Sequence, residues 1–182
     1  TFWPGQANEI RLLAWDRFLP HQPELLPIAY VERDGVVDRV CFSLHAAPHE
    51  HFCGTGERFA PLDLAGKTII LENRDALGVN NRRAYKNVPF YLSSRTYGLL
   101  ALTSASVRLS FADVSTQAVQ GMIGDSTLDL FFIGGGSVEA IVKNYRALTG
   151  FPPMVPTWTF GMWMSRMTYT SAEQAQGVAD RL

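Results

Sequence analysis

LENRDALGVNNRRAYKNVPFYLSSRTYGLLALT, residues 71–103, leaves an apolar run, turns polar, and returns to two further apolar runs. Thr68-Ile69-Ile70-Leu71 leads into Asn73, Arg74, Asp75, Asn80, Asn81, Arg82 and Arg83, and Val88-Pro89-Phe90-Tyr91-Leu92 follows. Tyr97-Gly98 then turns the chain into Leu99-Leu100-Ala101-Leu102. Short apolar runs separated by turn residues read as strands, so the polar stretch is a loop on the rim of a sheet. Recognition chemistry concentrates on such loops, because the scaffold holds them while their side chains stay exposed. A loop rich in Asn, Arg and Asp beside Tyr85, Phe90 and Tyr91 supplies donors, acceptors and stacking faces for a polyhydroxylated ligand. The same Asn and Asp residues also suit a merely solvated loop, where they serve turns.

Working outward, the pattern repeats. Residues 36–44 alternate, with Val36, Val40, Phe42 and Leu44 on one parity, as in a half-buried strand. Residues 52–59, FCGTGERF, form a short strand whose glycines permit close backbone approach. Gly54-Thr55-Gly56 is not a dinucleotide motif, since the third glycine and the following helix are missing. Further strands are predicted at 67–72, 88–92, 98–103, 107–111, 116–121 and 128–133, which indicates an antiparallel β-sandwich over residues 1–133. Residues 1–30 read as irregular because Pro4, Pro20, Pro23 and Pro27 interrupt them, with Trp3, Trp15 and Phe18 packing against something.

Residues 134–157 change character. After Gly134-Gly135-Gly136, Ser137 is an N-cap, and Ile141, Val142, Tyr145 and Leu148 recur at helical spacing until Gly150. The glycines serve a turn; a phosphate loop would need a Lys that is absent here. FPPMVPT, residues 151–157, is a proline-rich link. Residues 158–164, WTFGMWM, are nearly continuously apolar, which predicts a strand buried on both faces. A loop at 165–169 follows, and Ser171 with Gln174 forms a capping box that opens a helix. Strand, loop and helix make the opening unit of an α/β domain, and the chain is expected to be cut just inside that second domain, 158–182.

Composition narrows the partners. Apolar residues make up 47% and charged residues 18% of 182, which is globular. Sixteen basic against seventeen acidic residues, with no basic run, argue against nucleic acid and an anionic membrane, so the expected partner is neutral. No stretch approaches the ~20 apolar residues of a membrane-spanning helix, and TFWPGQANEI lacks the regions of a signal peptide, which makes a cytoplasmic location the expectation. Cys41 and Cys53 read as buried free thiols, with a disulfide left open. His49 and His51 flank Glu50, with His45 and Cys53 the nearest other candidates, but no convincing set of three or four ligands is present. No cofactor is called for.

Five segments, taken together and in order, carry a resemblance. They are Gly54-Thr55-Gly56-Glu57-Arg58-Phe59, Asn73-Arg74-Asp75, the run Tyr85-Lys86-Asn87-Val88-Pro89-Phe90-Tyr91-Leu92-Ser93-Ser94-Arg95, Tyr145-Arg146-Ala147-Leu148-Thr149-Gly150, and Pro156-Thr157-Trp158-Thr159-Phe160-Gly161-Met162-Trp163. The chain resembles glycoside hydrolase family 31, and YKNVPFYLSSR most resembles its bacterial α-xylosidase and α-glucosidase members. The resemblance implies a retaining α-glycosidase whose galactose-mutarotase-like sandwich packs on a (β/α)8 barrel, with an α-linked glycoside or oligosaccharide as substrate. It implies that Asp75, on a sandwich loop, bonds sugar hydroxyls, and that Met167 and Thr168, near Arg166 and Tyr169, line the same pocket. Asp75 is accordingly expected to project toward the end of the strand at Trp158, with Met167 as its neighbour. The family's two catalytic aspartates would lie on later barrel strands, so no catalytic residue is expected in this chain, which should be inactive by itself. The apolar run 158–164 is expected to drive self-association into a homo-oligomer. The alternative reading is a non-catalytic carbohydrate-binding or mutarotase-like sandwich module, which would have no use for an opened α/β unit.

Overall fold

The computed structural model describes residues 28–76, 82–163 and 167–181. Readings that fall on Trp3, Trp15, Phe18, Asn80, Asn81, Met164 and Arg166 lie outside the described residues. Two compact units divide between Thr149 and Gly150.

In the first unit the strands are β1 (Ile28–Arg33), β2 (Val36–His45), β3 (Phe52–Glu57), β4 (Lys67–Leu71), β5 (Lys86–Ser93), β6 (Tyr97–Ala101), β7 (Val107–Phe111), β8 (Ala118–Ile123) and β9 (Leu130–Gly134). They form two antiparallel sheets, in the orders β1-β2-β8-β7-β4 and β3-β5-β6-β9. One expectation is corrected at the start of this unit. Residues 28–30, expected to be irregular, open a strand that runs to Arg33, because Asp34 and Gly35 both take positive φ (53° and 77°) in a two-residue hairpin turn that pairs Arg33 with Val36.

The alternation read from the sequence points Phe42, Leu44, Leu109, Phe111 and Val119 of one sheet at Phe52, Tyr91, Tyr97 and Leu99 of the other, and all of these are buried. Phe52, Tyr91 and Phe111 meet at centroid separations of 5.1 to 5.9 Å, mostly edge to face, the geometry that aromatic quadrupoles prefer. A second cluster explains why β5 and β6 read as continuous apolar runs instead of alternating ones. Phe90, Leu100 and Ile133 face away from the sandwich core and are covered by helix α1 (Val138–Thr149), which inserts the fully buried Ile141. Burying that side chain contributes roughly 1.5–3 kcal/mol. Tyr145, one turn on, stacks on Phe90 at 4.1 Å with the rings 13° apart. The helix starts where expected, with Ser137 Oγ accepting from the Ala140 N–H at 3.2 Å.

In the second unit the expected strand at 158–164 is not formed over its described residues, 158–163. Thr157–Phe160 is a 3-10 turn closed by the Thr159 N–H and Thr159 Oγ1 donating to Pro156 O, and residues 161–163 are irregular. A strand needs a ladder partner, and among the described residues none pairs with this run, so local i to i+3 bonds satisfy its backbone. Trp158, Phe160, Met162 and Trp163 are left exposed. The helix that follows, α2 (Ala172–Ala179), is capped by Ser171, which accepts from the Gln174 N–H at 3.1 Å. Gln174 Oε1 reaches back one residue further than a standard capping box, to the N–H of Thr170 at 2.8 Å. No described helix is long and apolar enough to cross a membrane.

Candidate functional site

The loop that leaves β4 is held at its base by a small polar network. Asn73 forms a single parallel bridge with Ala84, and the Arg74 N–H donates to Ala84 O at 3.0 Å, so the two ends of the loop are tied before β5 begins. Asn87 is the hub. Its Nδ2 donates to Asn73 Oδ1 at 2.8 Å and to Ala84 O at 2.9 Å, while its Oδ1 accepts from Arg58 Nη2. Arg58 Nη2 also donates to Thr55 O at 3.3 Å. Partial burial pulls the Arg58 guanidinium below its ordinary value by desolvation, though Arg stays cationic at any ordinary pH.

The glycine-containing strand makes this network geometrically accessible. Gly54, Thr55 and Gly56 take φ of 118°, 67° and 87°, and positive φ at a buried, β-branched Thr is held only where the surroundings impose it. The β3–β5 pairing shifts from Gly54 opposite Tyr91 to Gly56 opposite Asn87, so Val88, Pro89 and Phe90 bulge out against the one residue Thr55. Pro89, which has no N–H to give a ladder, sits in that bulge. A Cβ on Gly56 would lie 2.1 Å from Lys86 O, so only glycine lets the two backbones come this close.

Asp75 stands just outside the network and is exposed. Two clefts flank the loop base. One, of about 410 Å³, is bounded by Glu72, Asn73, Asn87 and Pro89 on one side and by the turn Thr103 to Ser106 on the other. The other, of about 210 Å³, lies among Arg58, Phe59, Ala76, Arg83 and Tyr85, with Lys86 Nζ and Glu57 Oε2 paired at 3.0 Å on its rim. In the second unit Met167 is fully exposed and Thr168 exposed, in the loop that precedes α2.

The structure thus gathers three of the sequence segments, those carrying Arg58, Asn73 and Asn87, at one corner of the sandwich. Asn87 and Arg58 are the residues that sequence reasoning passed over as individuals. Both stood inside quoted segments, but a half-buried Asn whose side chain meets Arg58 and Asn73, 29 and 14 residues away, is a tertiary fact without a local pattern. The histidine cluster has other work. Glu50 is buried and accepts from the Ala47 N–H and from Ser93 Oγ, and His51 Nδ1 bonds Asp63 at 2.7 Å. Asp63 also accepts from the N–H groups of Ala65 and Phe52; those backbone donors, Ala65 foremost, and His51 hold its carboxyl below the usual carboxylate range. Cys41 and Cys53 are free thiols, both pushed up by burial.

The chain is similar in sequence and fold to known proteins. A model of the glycosyl hydrolase 31 N-terminal galactose mutarotase-like domain matches residues 7–109. The α-xylosidase of Emericella nidulans is 35% identical over 116 residues, 64% of this chain and 15% of its own length. The α-xylosidase XylQ of Lactiplantibacillus pentosus is 30% identical over 145 residues, 79% of this chain and 19% of its own. Among solved structures, the Flavobacterium johnsoniae GH31 dextranase complexed with glucose superposes with a TM-score of 0.68 at 28% identity, covering 86% of this chain and 20% of that one. The chain therefore spans about a fifth or less of the length of these three proteins. It belongs to glycoside hydrolase family 31, whose N-terminal galactose-mutarotase-like sandwich it carries.

Proposed function

We propose that this chain is the N-terminal part of a retaining α-glycosidase that hydrolyses α-xylosides or α-glucosides, with residues 158–182 opening its (β/α)8 catalytic barrel. In this reading Asp75 binds sugar hydroxyls, and Met167 and Thr168 contribute further contacts to the substrate. The observation that carries it is the clamp of Arg58, Asn73 and Asn87, which fixes the base of the loop that presents an exposed carboxylate. A loop needs such bracing when one of its side chains must meet a ligand in a set geometry. The α-xylosidases among its relatives support the substrate class. The free state of both cysteines suits the reducing cytoplasm, where we place the enzyme.

The chemistry would be double displacement at a close carboxylate pair supplied from outside this chain, with a covalent glycosyl-enzyme intermediate. Asp75 is a binding group and not the nucleophile. Its hydrogen bonds to hydroxyls stabilise the transition state only as far as they strengthen there. In the full-length enzyme, Asp75→Ala removes charge-assisted hydrogen bonds of roughly 1.5–3 kcal/mol each, which predicts a loss on the order of tenfold to a hundredfold in kcat/KM on an aryl α-xyloside or α-glucoside. A mechanism-based fluoro-sugar should still label the variant. Attachment of the label to Asp75 in the wild type, or loss of labelling in Asp75→Ala, refutes the binding role.

A further inference from the structure

The guanidinium of Arg58 is half-buried, yet the acceptors it reaches, Thr55 O and Asn87 Oδ1, are neutral oxygens. Among the described residues no carboxylate is paired with it, and Glu57, its acidic neighbour in sequence, goes to Lys86 at 3.0 Å. Desolvation alone pulls Arg58 below its ordinary value, as expected of a cation drawn out of water without a counter-charge. Two enclosed donors, Arg58 Nε and Thr55 Oγ1, meet no acceptor among the described residues. Thr55 is fully buried, and Arg58 Nη2 donates to its carbonyl at 3.3 Å, so both orphan donors stand in one corner. Buried polar groups are almost always bonded, and a buried charge is costly unless it is paired. A water molecule would supply a hydrogen bond and leave the charge unbalanced. The adjoining surface carries the matching sign, since the cleft of about 210 Å³ is lined by Arg58, Arg83 and Lys86 against the carboxylate of Glu57. A carboxylate answers both needs, with two oxygens to accept from a guanidinium and a hydroxyl and a charge to offset the cation.

We propose that Arg58 and Thr55 form a binding site for a carboxylate, with Arg58 Nε–H and the Thr55 hydroxyl as its donors. The carboxylate belongs either to an Asp or Glu side chain of the protein outside these 182 residues or to a small free acid, and the two sources share one chemistry. The site stands independently of the role given to Asp75. Because Arg58 Nη2 also donates to Asn87 Oδ1, a carboxylate that fixes Arg58 would stiffen the base of the rim loop.

The test follows urea unfolding of the chain in sodium acetate and in sodium chloride of equal ionic strength. For a site with a dissociation constant on the order of 10 mM, about 100 mM acetate should raise the folding equilibrium constant about tenfold. Acetate also stabilises proteins in general by exclusion from their surfaces, so the comparison that decides is with two variants. Arg58→Met removes the cation at similar volume and should lose the specific response; Thr55→Val keeps the branched shape without the hydroxyl and should lower it, which keeps the test open if Arg58→Met does not fold. A wild-type response no larger than that of chloride overturns the proposal, as does a full response in either variant. The full-length enzyme then separates the sources. A response as large as that of the chain means a free acid; no response, with a lowered midpoint in Arg58→Met, means that a carboxylate of the remaining protein already holds the site. No response and no effect of Arg58→Met in the full-length enzyme refute the site.

Discussion

Asn87→Ala tests the clamp directly. The substitution removes two neutral hydrogen bonds, to Asn73 Oδ1 at 2.8 Å and to Ala84 O at 2.9 Å, and deletes the acceptor for the half-buried Arg58 guanidinium. Net values of about 1 kcal/mol for each neutral bond and about 1.5–3 for the charge-assisted one sum to roughly 4 kcal/mol. Asn87 is only half-buried, so water replaces part of this, and about 2–3 kcal/mol is expected. With a urea dependence of about 1–3 kcal/mol per molar, the unfolding midpoint of the chain should fall by about 0.7–3 M. Because Asn73 shares one of the bonds, Asn73→Ala combined with Asn87→Ala should cost less than the two singly, by about 1 kcal/mol. Trypsin should cut faster after the exposed Arg82 and Arg83 in Asn87→Ala, since the tether at Ala84 is lost. A change below about 0.5 kcal/mol, with additive singles and unaltered trypsin sensitivity, would show that this network does not hold the loop.

Three other expectations follow from single sites. The lowered carboxyl of Asp63 contributes stability that is fully present above the unfolded value near 3.9 and is lost as pH falls through its lower folded value; Asp63→Asn should therefore unfold at lower urea at pH 7, with the gap closing in acid, and a gap that persists at pH 2 contradicts this. Gly98→Ala would put a Cβ 2.7 Å from Phe90 Cε2 and 3.0 Å from Ile141 Cγ2, so a loss of about 1–3 kcal/mol in urea unfolding is expected, and a neutral result means that α1 can shift freely. The 182-residue chain should show no hydrolysis of aryl α-xylosides or α-glucosides, and turnover by purified chain refutes the assignment of catalysis to residues outside it.

The positions of the strands after β1 were legible in the sequence because they carry their own alternation or apolar runs, and β7 begins and ends where the pattern puts it, at Val107 and Phe111. Helices α1 and α2 were legible from Ser137 and Ser171, whose caps are local chemistry within three residues. The missed strand β1 had a local sign, Asp34-Gly35, that the surrounding prolines obscured. The apolar run at 158–164 misled for the opposite reason. Its composition is that of a buried strand, but strand geometry is stabilised by ladder partners, and none of the described residues supplies them. The candidate site divides the same way. The polar loop and its Asp75 stand out from composition, whereas the joining of Arg58, Asn73 and Asn87 depends on positive φ at three successive residues and on a three-residue bulge around Pro89. A hydrogen bond between residues 29 apart in sequence, such as Arg58 to Asn87, exists only once two strands are in register. Local chemistry wrote the elements and the loop; the packing of the sheets decided which of the loop's residues brace it and which face solvent.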